Sequence, residues 1–129
     1  MNIILYLPWP PTVNSYYRAG HAGQRRISSN GRVYRSRAID AIKQQVPLVS
    51  IDYRMYCEVV LFPPDRRDRD LDNYMKALLD AATHAGLWDD DSLIDQLAIY
   101  RGSVLKGGLV KLEIAHAGPI ISSPMTQTV

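Results

Sequence analysis

The stretch DLDNYMKALLDAATHAG, residues 70–86, carries the clearest 3.6-residue repeat in this chain. Leu71, Tyr74, Met75, Leu78, Leu79, Ala82 and Ala85 fall on one face, so the spacing predicts an amphipathic helix over residues 71–85. Asp70 stands at its N-cap position and Gly86 at its C-terminal stop. The opposite face presents Asp72, Lys76 and Asp80, each four residues apart. Outward from this helix the period drops to two. Residues 54–62 alternate as a strand closed by Pro63-Pro64. Past the acidic turn Asp89-Asp90-Asp91, residues 93–101 and 109–115 read as two strands joined by the Lys106-Gly107-Gly108 turn. Nearer the start, residues 3–7 form a strand stopped by Pro8-Trp9-Pro10-Pro11, and residues 12–31 read as a long aperiodic loop. A second helix over residues 33–45 is marked by Tyr34, Ala38, Ala41 and Ile42 and broken before Pro47. The elements predict an α+β fold: a single small domain over residues 1–116 in two layers, a mixed β-sheet packed on one side by two helices. Residues 117–129, AGPIISSPMTQTV, have no usable period and are expected to be a disordered tail.

With 129 residues the chain can bury one core but not two. No apolar run is long enough to cross a bilayer, and MNIILYLPWPP has no basic segment ahead of its apolar run. Neither a membrane span nor a signal peptide is expected, and the location is read as cytoplasmic. The single Cys57 cannot form an internal disulfide and is read as a core residue on a strand. His21, His84 and His116 make no ligand or triad spacing.

The net charge of +2 hides a segregation. Residues 1–60 hold eight Arg/Lys against three Asp/Glu, a net of +5; residues 61–100 hold four against nine, a net of −5. Arg18, Arg25, Arg26, Arg32, Arg35 and Arg37 follow one another with no acid between them. Such a cluster is read as a polyanion contact, against the alternative of a solvated basic loop. Arg66 and Arg67 are read as backbone-phosphate contacts.

Three explanations compete for the Asp cluster. An EF-hand would place Asp68, Asp70 and Asp72 at its first ligand positions, but its turn glycine would fall on Asn73 and its bidentate glutamate on Leu79, which excludes it. Plain capping would use Asp70 at the N-cap, Asp72 in the first turn, and an Asp72–Lys76 pair. The third explanation brings Asp91 back to the helix mouth. Three converging carboxylates would repel one another unless a divalent cation neutralised them, and hard oxygen donors select Mg²⁺ or Mn²⁺. A carboxylate-held cation beside arginines and a lysine is suited to phosphodiester hydrolysis. The competing class is a non-catalytic basic nucleic-acid-binding protein whose Asp cluster only caps a helix.

Asp70-Leu71-Asp72-Asn73, followed by Lys76, Asp80, Gly86 and Asp90-Asp91, resembles the RusA family of Holliday junction resolvases of bacteria and their prophages. Leu7-Pro8-Trp9-Pro10-Pro11, Asn14, Tyr17-Arg18 and Tyr34-Arg35 are similar to that family's opening segment. The resemblance implies a metal-dependent endodeoxyribonuclease, a homodimer requiring Mg²⁺ with Mn²⁺ as substitute, that nicks two opposed strands of four-way junction DNA during recombination and repair. It implies that Asp70, Asp72 and Asp91 are the metal-binding catalytic carboxylates and Lys76 the catalytic lysine. Arg69 takes the place of a basic residue tied to junction binding or chemistry. Asp68 departs from the more basic family pattern, and the run Asp89-Asp90-Asp91 leaves the third ligand ambiguous by one or two residues.

Overall fold

A computed structural model describes residues 2–47 and 50–124 of the chain. In order, β1 (Ile3–Leu7), α1 (Val13–Tyr16), β2 (Tyr17–Ala19), β3 (Arg25–Ile27), α2 (Ser29–Gln45), β4 (Met55–Phe62), α3 (Met75–His84), β5 (Ile94–Arg101) and β6 (Leu109–His116) build one α+β domain. Three 3-10 turns, His21–Gly23, Leu71–Tyr74 and Asp91–Leu93, punctuate it.

The main sheet has the order β1-β6-β4-β5 and is mixed. β6 is antiparallel to β1 and β4, whereas β4 and β5 are parallel. A parallel pair needs a crossover, and α3 supplies it. This corrects the hairpin expected over residues 93–115, since β6 is inserted between β1 and β4 and β5 lies on the far side of β4. The physical reason lies in burial and in the connection. Val110, Leu112 and Ile114 are fully buried and sit in the sheet's interior. The Gly102 N–H bonds the Leu61 carbonyl at 2.8 Å and the Leu105 N–H bonds the Pro63 carbonyl at 2.8 Å, which carries residues 102–108 across the end of β4. Gly107 and Gly108, at φ 86° and 73°, then reverse the chain.

Strict alternation along β4 separates the two faces. Met55, Cys57, Val59 and Leu61 join Leu5, Leu7, Val110, Leu112 and Ile114 beneath Tyr34, Ala38 and Ile42 of α2 and Leu78, Ala81 and Ala82 of α3. The other face shows Ile4, Tyr6 and Tyr100 to solvent.

Residues 12–31, expected as a loop, hold structure. Thr12 caps α1, and β2 pairs with β3 so that Arg18 faces Arg26 and Ala19 faces Arg25. The Ser28 hydroxyl donates to the Tyr16 carbonyl at 3.0 Å and accepts the Gly31 N–H at 2.9 Å, so it locks the hairpin base and starts α2 at Ser29, four residues before the expected position. A Cβ on the buried Gly31 would run into the Tyr16 carbonyl. Three-residue strands made largely of arginine carry no alternation, which is why their pairing leaves no mark in the sequence. Among the described residues the α-helices are therefore three rather than two.

Of the expected tail, Ala117 donates to the Arg54 carbonyl and Gly118 to Gln96 Oε1, both at 3.0 Å, while residues 125–129 lie outside the described residues. Among the described residues no helix is long and apolar enough to cross a membrane.

Candidate active site

The helix expected over residues 71–85 opens as the 3-10 turn Leu71–Tyr74 and becomes α-helical only at Met75. Asp70 holds the N-cap place with extended backbone, but its side chain makes no capping bond; only its carbonyl accepts the Asn73 N–H, at 3.2 Å. The Asp72–Lys76 pair does not form either. Asp80, expected on the solvated face, is half-buried and engaged by Arg35 Nη2 at 2.9 Å and by the Tyr16 hydroxyl. Burial, together with Asp80, pushes the Tyr16 hydroxyl well above its ordinary pKa. Asp70, Asp72 and Lys76 are thus left exposed, with no hydrogen-bond or ion-pair partner for their side chains among the described residues.

Asp70 opens onto a cleft of about 610 Å³ whose walls include Thr12, Asp68, Arg69, Asn73, Tyr74 and Arg101. Trp9 braces it, with its ring 4.9 Å from that of Tyr74 and 5.8 Å from the Arg69 guanidinium. Gly108 lies against the same indole, where a Cβ would collide. Arg69 bonds Asp65 at 2.8 Å and Arg67 bonds it at 3.1 Å. The Arg69 guanidinium foremost, then the backbone N–H and guanidinium of Arg67, hold the Asp65 carboxyl well below the usual carboxylate range. Arg69 also donates to the carbonyls of Asp65 and Arg67, at 3.2 and 3.3 Å, which folds the 65–69 segment around it. Arg66 is exposed and has no partner among the described residues.

Asp91 stands elsewhere in the fold. It begins the 3-10 turn that leads into β5, next to Trp88, which bridges Ile51, and Asp89, whose N–H bonds the Ile51 carbonyl at 3.1 Å. That is the edge of the sheet where β4 and β5 begin. Asp70 is at the edge where they end, since Arg101, the last residue of β5, reaches the Arg69 carbonyl at 2.9 Å. The eight residues of β5 put the two edges roughly 25 Å apart. Accordingly, among the described residues no three Asp, Glu, His or Cys side chains come close enough together to hold a metal ion. Within the acidic run, Asp89 accepts from the Ser50 hydroxyl at 2.6 Å and Asp90 from the Ser92 N–H at 3.0 Å. Asp91 is the member whose side chain has no such partner among the described residues.

The N-terminal arginines divide in the same way. Arg18, Arg25 and Arg26 are exposed on the β2–β3 hairpin, with Arg25 over the Tyr17 ring, and Arg32 is exposed on α2. The charge of Arg35 is directed to Asp80. Arg101 escaped the sequence reading because it belongs to neither arginine-rich segment. Its only signal is a cation closing a strand, and the parallel pairing decides where that strand ends.

Residues 8–115 match the family model described as Endodeoxyribonuclease RusA. The chain is 38% identical over 112 residues to crossover junction endodeoxyribonuclease RusA from Shigella sonnei (strain Ss046), a match covering 87% of this chain and 92% of that protein. The proteins of that name from Escherichia coli (strain K12) and Enterobacteria phage 82 match with the same identity and coverage. The motif that frames the cleft and the match along nearly the whole domain agree: this chain belongs to the RusA family of endodeoxyribonucleases.

Proposed function

We propose that this chain is a divalent-metal-dependent endodeoxyribonuclease of the cytoplasm that resolves four-way DNA junctions by paired nicks, working as a two-fold homodimer. The relatives' name, crossover junction endodeoxyribonuclease, supplies the substrate class. The observation that carries the reading is the state of Asp70 and Asp72: two exposed carboxylates, two residues apart, that among the described residues neither cap the helix nor pair with a cation, the first of them at a cleft walled by arginines. Idle anions beside a phosphate path would repel the substrate, so a function other than DNA adhesion is needed to account for them.

Two carboxylates are a fitting but incomplete donor set for Mg²⁺, which takes hard oxygen ligands. Asp91 would complete it from a second chain. An isologous pairing about a two-fold axis perpendicular to β4 and β5 lays the end of these strands in one copy beside their beginning in the other, and does so twice. Each site would then consist of Asp70 and Asp72 from one protomer and Asp91 from its partner. When bound, the cation would lower the pKa of a coordinated water and offset the charge of the scissile phosphate. Lys76, one turn beyond Asp72, would offer its ammonium to charge developing on the phosphate oxygens. The hairpin arginines would hold the junction arms through phosphates, which position without reading sequence.

The test is nicking of a synthetic four-way junction, a fork and a linear duplex with and without Mg²⁺. Cleavage that needs the metal, prefers the junction and is lost in Asp70→Asn supports the reading. Tight junction binding with no metal-dependent nicking would instead make the chain a binding protein.

A further inference from the structure

We propose that Arg101 is a DNA-phosphate ligand of the Asp70 cleft. The proposal rests on the functional reading above and adds a cation that neither arginine-rich segment contains. Arg101 is exposed at the end of β5, opposite Leu61 in the parallel register, which places it in the wall of the cleft that Asp70 and Asn73 also line. Its Nη2 donates to the Arg69 carbonyl at 2.9 Å, and among the described residues it has no carboxylate partner. A guanidinium carries five N–H donors in a rigid fork, so most of its donors remain available.

The neighbouring cations differ. Arg67 and Arg69 both bond Asp65, and Arg69 is largely enclosed by the segment it folds. Their two charges share that one carboxylate, while Asp68 and Asp70 add two further anions to the walls. A phosphate entering this cleft meets, in Arg101, an arginine that no carboxylate among the described residues pairs with. The planar fork suits bidentate contact with phosphate oxygens, and the bond to the Arg69 carbonyl fixes one edge of it in advance. The competing role for Arg101 is only to pin the 65–69 segment through that bond.

The two roles separate in Arg101→Gln, which keeps a polar side chain with N–H donors but carries no charge, with thermal unfolding reading whether the 65–69 segment is still held. Junction binding is measured without divalent metal over a salt series for the wild type, Arg101→Gln and Arg101→Ala, alongside thermal unfolding and Mg²⁺-dependent nicking. The expected result is that Arg101→Gln unfolds with the wild type, binds more weakly, and has a log-affinity against log-salt slope shallower by about 0.9, the value for one lost phosphate contact. Wild-type affinity and slope in Arg101→Gln would overturn the proposal, including the case where only Arg101→Ala is weakened, because that pattern is a pin. A wild-type protein that fails to nick any junction would refute the functional reading, whereas a nicking wild type with unaltered binding in Arg101→Gln refutes the Arg101 assignment alone.

Discussion

Asp70, Asp72 and Asp80 look equivalent as letters but differ in what surrounds them, and their substitutions should differ accordingly. Asp70→Asn and Asp72→Asn remove charge from carboxylates with no partner among the described residues. Cleavage should fall by more than the about 10–100-fold typical of losing an outer-shell metal partner, while junction binding persists and stability moves by less than about 0.5 kcal/mol. Kinetic nicking assays beside thermal unfolding check both halves; a destabilised Asp70→Asn would mean that it holds the fold. Asp80→Asn should do the reverse, lowering stability by about 1–3 kcal/mol because Arg35 and the buried Tyr16 hydroxyl lose their acceptor charge. Denaturant unfolding measures that loss. Cys57, fully enclosed on β4, has its thiol pushed up to about 12 by burial. At pH 8 only about one in 10⁴ of these thiols is ionised, so a thiol reagent should modify the folded protein at a small fraction of its rate on the denatured chain.

The β2–β3 hairpin is a small element whose charge exceeds its packing. Arg18, Arg25 and Arg26 project from three-residue strands clamped at the base by Ser28 and Gly31. Replacing Arg25, Arg26 and Arg32 with alanine should weaken binding to junction and duplex alike and make the salt dependence shallower by roughly 0.9 per lost phosphate contact. Fluorescence titrations at several salt concentrations read the slope, and an unchanged slope would assign these arginines to solvent. α3 contrasts with the hairpin. Its apolar stripe, including Leu78 and Ala81 at 0% exposure, is fixed by the core, so the exposed Lys76, and Asp72 in the 3-10 turn ahead of it, are held at a set height above the sheet.

At the scale of the whole molecule, the separation of Asp70 from Asp91 makes a mixed dimer informative. If each site joins Asp70 of one chain to Asp91 of its partner, a dimer of one Asp70→Asn chain and one Asp91→Asn chain keeps one intact site and should nick one strand of a supercoiled cruciform, giving a circular product. Sites contained within single chains would leave that mixed dimer inactive. The wild-type dimer, with two sites, should give a linear product. Much of this architecture is legible in the residues themselves. The stripe from Leu71 to Ala85, the alternation along β4 and the exposed pair Asp70 and Asp72 depend on periods of two and 3.6, which neighbouring residues impose through backbone geometry. The insertion of β6, the arginine hairpin, the pairing of Tyr16 and Arg35 with Asp80, and the places of Asp91 and Arg101 depend instead on which distant segments pair. Strand order follows from burying a whole sheet face at once, and no local period encodes it. The sequence therefore names the chemical groups of the candidate site, and long-range packing sets which of them share an edge of the sheet.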